Sequence, residues 1–282
     1  MFMNILNAIV NIINNPILNL EAVNSGRNRA NSLGHALELY IKDVFSGAIM
    51  DVADNEKEIK YEEVFSYAGN QNNPPDFILK SGDAIEVKKI QSKNSMLALN
   101  SSYPKAKLYV NSPMITQACR DCEAWSEKDI IYTVGYVTDT EIKTLWMVYG
   151  HLYAADKVIY QRIKKKISRG VNSLNDIEFA ETNEIGKIKK VDPLGITDLR
   201  VRGMWGIDNP AKVFSYLYNA KNDSKFQFIS LIDNDKYNKM LKIDNEILNI
   251  KKEGFKITDV RIKNPNNPIH KIQGKLITYV IK

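Results

Sequence analysis

Cysteine, histidine and long apolar runs are scarce in this sequence of 282 residues. Its two cysteines, Cys119 and Cys122, form a C-x-x-C pair, and the three histidines lie far from it in sequence. Because a zinc site needs further ligands at suitable spacing, two semi-buried thiols on a helix are a better interpretation than a metal or redox site. Few cysteines are also typical of a reducing compartment. No apolar run reaches membrane-spanning length and residues 1–16 lack a basic leader, so we expect a cytoplasmic protein with no membrane partner.

The remaining composition is that of an ordinary globular protein. Hydrophobic residues make up 44% and charged residues 26% of the chain, close to the average of soluble domains. The net charge of +6 and the pI of about 9.0 favour an acidic partner such as nucleic acid. The length allows one large or two small domains. Because no repeat, low-complexity linker or composition break divides the chain, we expect one elaborated domain.

Two helices are predicted near the N-terminus. Apolar residues from Ile5 to Ile13 recur at helical spacing until Pro16 ends the pattern. Apolar residues from Leu33 to Phe45 follow the same spacing, with Ser32 as a candidate N-cap and Gly47 as the stop.

The rest of the chain mixes strand and helix patterns. Predicted strands cover residues 107–111, 130–137, 144–149, 226–232 and 276–281, predicted helices cover 115–127 and 235–252, and 56–68 form a strand or a short helix. Residues 130–137 and 144–149 are expected to pair in antiparallel fashion around a polar link. The predicted fold class is α/β, with a mixed central β-sheet flanked by helices.

The most informative stretch for function is NPPDFILKSGDAIEVKKIQ, residues 73–91. Two apolar runs separated by Ser-Gly-Asp predict a β-hairpin with Asp76 at the outer end of its first strand. Since side chains alternate along a strand, Glu86 and Lys88 share one face and can converge with Asp76. Two carboxylates suit Mg²⁺, and a lysine beside them can orient water or stabilise charge on a phosphate. The alternative is an ordinary hairpin decorated with solvated charges.

Glu38 is the candidate fourth member of this site. It lies at the border of the apolar stripe of the second helix, where a carboxylate can reach sideways along the sheet. Asp43 falls on the far, polar face of that helix. A solvated border glutamate is the competing interpretation of Glu38.

Two loops have the composition of nucleic-acid contacts. The first, GRNRAN at residues 26–31, precedes the second helix, where arginines and backbone amides can hold phosphate. The second, LNSSYPK at residues 99–105, follows the hairpin. The candidate contacts are Arg27, Arg29, Asn100, Ser101, Ser102 and Lys105. A basic solvated loop and a polar turn are the respective alternatives.

The stretch LRVRGMWGIDNP at residues 199–210 is the most unusual. Arg200 and Arg202 alternate with apolar residues, so both guanidinium groups are expected on one strand face, and Trp205 is a further candidate DNA contact. Arginine pairs well with guanine in the major groove, and two arginines at this spacing can read neighbouring bases. The alternative is an exposed strand beside a core tryptophan. The basic stretch 157–170 is interpreted as a solvated helix face rather than a DNA contact.

The combination of PPD-x9-EVK with an upstream helix glutamate resembles the PD-(D/E)XK nuclease superfamily. Together with GRNRAN, LNSSYPK and LRVRGMWGIDNP, it is similar to the NgoPII-type family of type II restriction endonucleases, up to about residue 215. The resemblance implies a restriction endonuclease-like domain over residues 1–282. Its catalytic core would cover about 20–150, its recognition elements about 157–215, and a C-terminal α+β elaboration 216–282.

The resemblance also implies roles for individual residues. Asp76, Glu86 and the backbone carbonyl of Val87 would bind Mg²⁺, with Mn²⁺ as a substitute. Lys88 would assist the attacking water, and Glu38 would be the accessory carboxylate. Gln91 lies just beyond this motif and is a further candidate DNA contact.

The leading hypothesis is therefore a Mg²⁺-dependent endonuclease that cuts double-stranded DNA at a short palindrome. By resemblance that palindrome would be GGCC, the enzyme a homodimer, and a cognate DNA methyltransferase its genetic partner. Two alternatives remain open at this point. One is a structure-selective repair or recombination nuclease of the same fold, and the other is a DNA-binding protein without catalysis.

Overall fold

The computed structural model describes residues 3–21, 33–49, 52–70, 73–99, 102–112, 114–173, 178–179, 185–221 and 223–282. The helices are α1 (Ile5–Asn14), α2 (Leu33–Ser46), α3 (Asp54–Val64), α4 (Gln117–Asp121), α5 (Gly150–Tyr153), α6 (Lys157–Asn172), α7 (Pro210–Val213) and α8 (Asn234–Leu241), followed by a short 3-10 helix (Glu246–Asn249).

The strands alternate with these helices along the chain. They are β1 (Phe65–Asn70), β2 (Asn73–Leu79), β3 (Ala84–Ile90), β4 (Met96–Ala98), β5 (Lys107–Tyr109), β6 (Glu127–Thr138), β7 (Glu141–Tyr149), β8 (Glu178–Phe179), β9 (Gly186–Lys189), β10 (Leu199–Val201), β11 (Gly206–Asp208), β12 (Phe226–Asp233), β13 (Phe255–Asn264) and β14 (Asn267–Ile281).

Nine strands form the main sheet. Their order is β1-β2-β3-β6-β7-β12-β14-β13, with β5 paired to β6 outside that path. β3 runs parallel to β6 and β12 runs parallel to β7, whereas the other neighbours are antiparallel. The predicted mixed central sheet flanked by helices is therefore confirmed, and the C-terminal strands extend it.

The predicted hairpin forms between β2 and β3. Phe77 pairs with Ile85 and Ile78 with Ala84, and all four side chains are buried. The connecting turn is closed by a hydrogen bond from the Leu79 amide to the Asp83 carbonyl. Burial of the two apolar runs fixes which polar side chains of the hairpin face the neighbouring elements.

Helix α2 packs on the sheet beside this hairpin, and α1 packs against α2. Both helices bury the apolar stripe that the sequence predicts, and α2 contacts β3. Helix α2 ends at Gly47, whose φ of +68° is a left-handed conformation that favours glycine. Ser32, the expected N-cap, lies outside the described residues.

The prediction that Asp43 lies on an exposed face of α2 is wrong. Its side chain is buried because α3 packs against that face of α2. Lys57 donates to the Asp43 carboxylate from 2.7 Å, and the Tyr61 hydroxyl donates to its other oxygen. Helix α3 therefore supplies the ion pair and hydrogen bond that allow the Asp43 carboxylate to be buried. The helical pattern of α2 alone predicted that this carboxylate is exposed to solvent.

Two predicted helices are shorter than expected. The helix predicted at 115–127 is limited to α4, which ends at Asp121, and the Trp125 Nε1 atom beyond it donates to the Cys119 carbonyl at 3.2 Å. Residues 235–252 contain α8 and a separate 3-10 helix, between which Asp244 Oδ1 accepts from the Glu246 amide at 2.9 Å. Local side-chain hydrogen bonds of this kind compete with helix continuation.

Two smaller sheets complete the described part of the fold. One has the order β10-β9-β8, and the other pairs β11 with β4. In that second pair, Gly206 lies opposite Ala98 and Asp208 opposite Met96. No helix of the described residues is long and apolar enough to cross a membrane.

Candidate active site

The structure brings Asp76, Glu86 and Lys88 together on the β2–β3 hairpin. Lys88 Nζ lies 2.6 Å from Glu86 Oε1, which confirms that these two side chains share a face. Asp76 Oδ2 accepts a 2.6 Å hydrogen bond from the Val87 backbone amide. Asp76 lies in the middle of β2 rather than at its outer end, since the strand begins at Asn73.

Burial dominates the electrostatics of this cluster. It raises the pKa of Asp76 well above the usual value for an aspartate, and the charge of Glu86 raises that pKa further. Burial alone would lower the pKa of Lys88, but the nearby charges of Glu86 and Asp76 outweigh it and raise that pKa. The lysine therefore stays charged beside two carboxylates that repel each other.

The donor set fits a hard divalent cation. Glu86 is only 7% exposed, and among the described residues its Oε2 atom is buried with no hydrogen-bond partner. A buried carboxylate oxygen without a hydrogen bond is unfavourable unless a cation or a hydrogen-bond donor binds to it. The backbone carbonyl of Val87 is a further oxygen donor of this hairpin and accepts from Lys88 Nζ at 3.3 Å.

Glu38 lies at the margin of this cluster. Its charge contributes to the raised pKa values of Asp76 and Lys88, and its carboxylate lies 3.5 Å from His35 Nδ1. The described residues contain no group of three Asp, Glu, His or Cys side chains that could hold a metal. Glu38 therefore influences the charge of the site without joining a three-carboxylate set.

Lys105 and Ser102 differ from the expected surface contacts. Both are buried, at 7% and 8% exposure, so they do not fit direct contact with a DNA backbone. Lys105 Nζ donates to the Ser102 hydroxyl. Burial lowers the pKa of Lys105 to about 8, Glu86 opposes that shift, and Lys88 adds to it. This lysine thus belongs electrostatically to the carboxylate cluster, which the sequence pattern did not reveal.

The predicted recognition arginines lie near the end of β10. Arg200 is in the strand, opposite Lys187 of β9, whereas Arg202 follows the last strand residue. Both side chains are exposed. Trp205 is half-buried, and its ring centroid lies 5.7 Å from that of Tyr160 in an edge-to-face contact. Trp205 is thus a packing residue as well as a candidate DNA contact.

The remaining candidates divide into two groups. Gln91 directly follows β3 and is exposed. Arg27, Arg29, Asn100 and Ser101 lie outside the described residues.

Asn209 is a residue whose importance the sequence analysis missed. It is 1% exposed, and its Nδ2 donates to the Lys93 carbonyl at 2.9 Å and to the Ser95 carbonyl at 2.7 Å. Its side chain also accepts from the Lys212 amide as the N-cap of α7. These bonds, with the β11–β4 pairing, tie the arginine segment to the loop that follows β3. The Asp-Asn-Pro string marks this helix start in the sequence.

The chain resembles known proteins over almost its whole length. The profile of the NgoPII restriction endonuclease family matches residues 3–263. Over 278 residues, 50% are identical to those of "Type II restriction enzyme NgoPII" of Neisseria gonorrhoeae, which covers 98% of this chain and 99% of that protein. No solved structure matches the chain.

Proposed function

Since this chain belongs to the NgoPII restriction endonuclease family, we propose that Asp76 and Glu86 are the metal-binding carboxylates of its nuclease site. The chain is a type II restriction endonuclease, an enzyme that makes site-specific cuts in DNA. The observation that carries the site assignment is the buried convergence of the two carboxylates with Lys88 on one hairpin.

Enzymes of this type use divalent metal ions, and we propose Mg²⁺, with Mn²⁺ as a substitute. Asp76, Glu86 and the Val87 carbonyl would hold it, since hard oxygen donors suit such ions. The bound ion lowers the pKa of water and neutralises charge on the phosphate. The orphaned Oε2 atom of Glu86 supports this assignment.

Lys88 is proposed to orient the attacking water. Glu86 Oε1 holds its ammonium at the edge of the carboxylate pair, where a fixed positive charge also stabilises negative charge that develops on the phosphate. The water oxygen bonds to phosphorus and loses a proton, while the bond to O3′ breaks and that oxygen gains a proton. The products are a 5′-phosphate and a 3′-hydroxyl. Glu38 is the proposed accessory carboxylate.

The DNA-reading elements are proposed to be the exposed arginines Arg200 and Arg202. Their position near the end of β10 leaves both side chains at the surface, where guanidinium groups can bind guanine edges or phosphate. The other proposed DNA contacts are Trp205, Gln91, Arg27, Arg29, Asn100 and Ser101. A GGCC site is the proposed target, since it offers two guanines on each strand.

We further propose that the chain forms one PD-(D/E)XK domain that acts as a homodimer in the cytoplasm. The catalytic hairpin, the covering helix α2 and the parallel neighbour β6 support that fold. A two-fold symmetric dimer matches the symmetry of a palindrome. A cognate methyltransferase that protects host DNA is the proposed genetic partner.

The experiment that tests this function is digestion of a plasmid of known sequence, with mapping of the cut ends. Discrete fragments that end within one palindrome, formed with Mg²⁺ and lost with a chelator, are the expected result. Cleavage only at nicked, mismatched or branched DNA would instead identify a repair nuclease. No cleavage under any metal condition would refute the proposal.

Substitutions of the proposed catalytic residues test whether cleavage takes place at this site. Asp76→Ala and Glu86→Ala should abolish cleavage while DNA binding persists, because they remove metal ligands rather than DNA contacts. Lys88→Ala should retain metal binding and slow the chemical step. Asp259→Ala is the matched control, since this exposed acid lies on β13 at the far edge of the sheet and pairs with Lys275. Wild-type cleavage by either carboxylate variant would show that the site is misassigned.

A further inference from the structure

A second lysine lies buried beside the proposed nuclease site. The Lys105 side chain is 7% exposed, and its ammonium donates to the Ser102 hydroxyl, a neutral partner. Among the described residues, the charged groups that shift its pKa are Glu86, which raises it, and Lys88, which lowers it. A buried charge without a close counter-ion is costly, so its retention calls for a reason.

The backbone that carries Lys105 is held against the catalytic strand. The Lys105 amide donates to the Tyr132 hydroxyl at 2.8 Å. Tyr132 lies opposite Glu86 in the parallel β3–β6 pair, so the two side chains are cross-strand neighbours on one face. The tyrosine thereby holds the backbone of Lys105 on the side of the sheet that carries Glu86.

Gly150 allows this close placement from the other side. A Cβ atom on Gly150 would lie 2.4 Å from the carbonyl oxygen of Lys105 and 2.7 Å from that of Ala106. Both contacts are with backbone, which cannot rotate away as a side chain can. The fold therefore fixes residue 105 from two directions.

We propose that Lys105 is a positioning residue of the nuclease site, whose buried positive charge acts through Glu86 to favour the phosphate transition state at the expense of metal affinity. This inference rests on the proposed function of Asp76, Glu86 and Lys88. Burial keeps Lys105 away from the DNA surface, so the effect is electrostatic and not a phosphate contact.

The charge balance of the site explains this role. Asp76, Glu86 and Glu38 contribute three negative charges, which Lys88 alone does not balance. With Lys105 and with Asp76 ionised, the net charge of the site is −1, so a divalent ion makes it net positive. A net positive site stabilises the extra negative charge of the transition state, whereas the same lysine repels the incoming metal ion. At neutral pH Lys105 carries its charge, since its pKa is about 8.

The test replaces Lys105 with methionine, which keeps most of its shape and removes its charge. Ca²⁺ titration calorimetry on the DNA-free protein should show tighter binding by Lys105→Met, on the order of tenfold. Cleavage at saturating Mg²⁺ should slow by about tenfold or more. DNA affinity measured in Ca²⁺ should stay within about twofold, after correction for metal occupancy.

Three further variants separate charge from packing. Lys105→Gln should behave like Lys105→Met, and Lys105→Arg should restore metal affinity close to that of the wild type. Lys128→Met is the packing control, because Lys128 is equally buried at 7% but pairs with Glu123. It should lower stability without tightening Ca²⁺ binding.

Several results would overturn the inference while leaving the proposed function intact. Unchanged or weaker Ca²⁺ affinity in Lys105→Met, or cleavage at the wild-type rate, would exclude an electrostatic role. If both neutral variants fail to fold while Lys128→Met folds, Lys105 serves structure alone. If the wild type itself does not cut DNA, it is the proposed function that fails.

Discussion

The backbone amide of Val87 donates a 2.6 Å hydrogen bond to Oδ2 of Asp76, across the hairpin that joins β2 to β3. This bond fixes Asp76, one proposed metal ligand, to the backbone of Val87. Val87 directly follows Glu86, the other proposed ligand. The amide partly offsets the burial of Asp76, but the pKa of that carboxyl group is still raised, chiefly by burial and then by Glu86.

Asp76→Asn should therefore stabilise the metal-free protein while abolishing cleavage. A carboxyl group whose folded-state pKa is raised contributes stability at low pH and loses it as the pH rises through that pKa. At pH 7 the ionised aspartate thus lowers the free energy of unfolding, and the neutral amide of the variant removes this effect. The amide oxygen of the variant can still accept the hydrogen bond from Val87. Thermal unfolding in chelator should show a higher Tm, by roughly 2–4 °C per kcal/mol gained. A lower Tm would contradict this account, and Asp259→Asn serves as the exposed control.

Metal affinity should rise with pH because the proton and the metal compete for Asp76. The raised pKa of Asp76 places this competition above the usual aspartate value of about 4. Ca²⁺ titrations between about pH 5 and 7, where Lys105 keeps its charge, should give progressively tighter binding as the proton is lost. An affinity that is constant across this range would show that Asp76 is ionised throughout.

Arg200→Ala and Arg202→Ala should weaken binding to the cognate palindrome more than binding to unrelated DNA. Each arginine that pairs with a guanine contributes about 1–3 kcal/mol of discrimination. Fluorescence anisotropy with cognate and scrambled duplexes at several salt concentrations measures that difference. Arg261→Ala is the matched control, because this exposed arginine lies on β13. An equal loss on both duplexes would assign the arginines to phosphate contacts instead.

Asn209→Ala should destabilise the fold and slow specific cleavage together. It removes two donors to the loop after β3 and the N-cap of α7, and buried polar groups left unpaired cost about 1–3 kcal/mol. Thermal unfolding and single-turnover cleavage at 25 °C measure the two effects. Asn264→Ala, on the β13–β14 hairpin, is the control. Normal cleavage by a destabilised Asn209→Ala would show that the arginine segment needs no such anchor.

Local sequence patterns were sufficient for the elements that bury a continuous apolar stripe or run. The elements that follow from apolar spacing and turn residues are the β2–β3 hairpin, α1, α2 and the β6–β7 pair, and β6 and β7 are apolar runs buried on both faces. The grouping of Asp76, Glu86 and Lys88 follows in the same way from strand alternation.

Features that depend on distant elements were not predictable from those patterns. Asp43 is buried by α3, and the backbone of Lys105 is held by Tyr132 of β6. The helical pattern around Asp43 and the loop composition around Lys105 therefore predicted exposed side chains where the structure has buried ones. Strand β13 was missed because its apolar alternation is interrupted between Ile257 and Val260, and Ile262 is its one side chain that is fully buried. Spatial neighbours rather than sequence neighbours set the charge environment of a buried group.

The absence of a side chain at Gly150 has an evolutionary consequence. This glycine bears no charge, yet even one added methyl group would collide with the main chain at Lys105 and Ala106. Selection on the nuclease should thus extend to an inert position that a search for charged or polar motifs would overlook. Among functional descendants of this chain, position 150 should tolerate less variation than most exposed lysines.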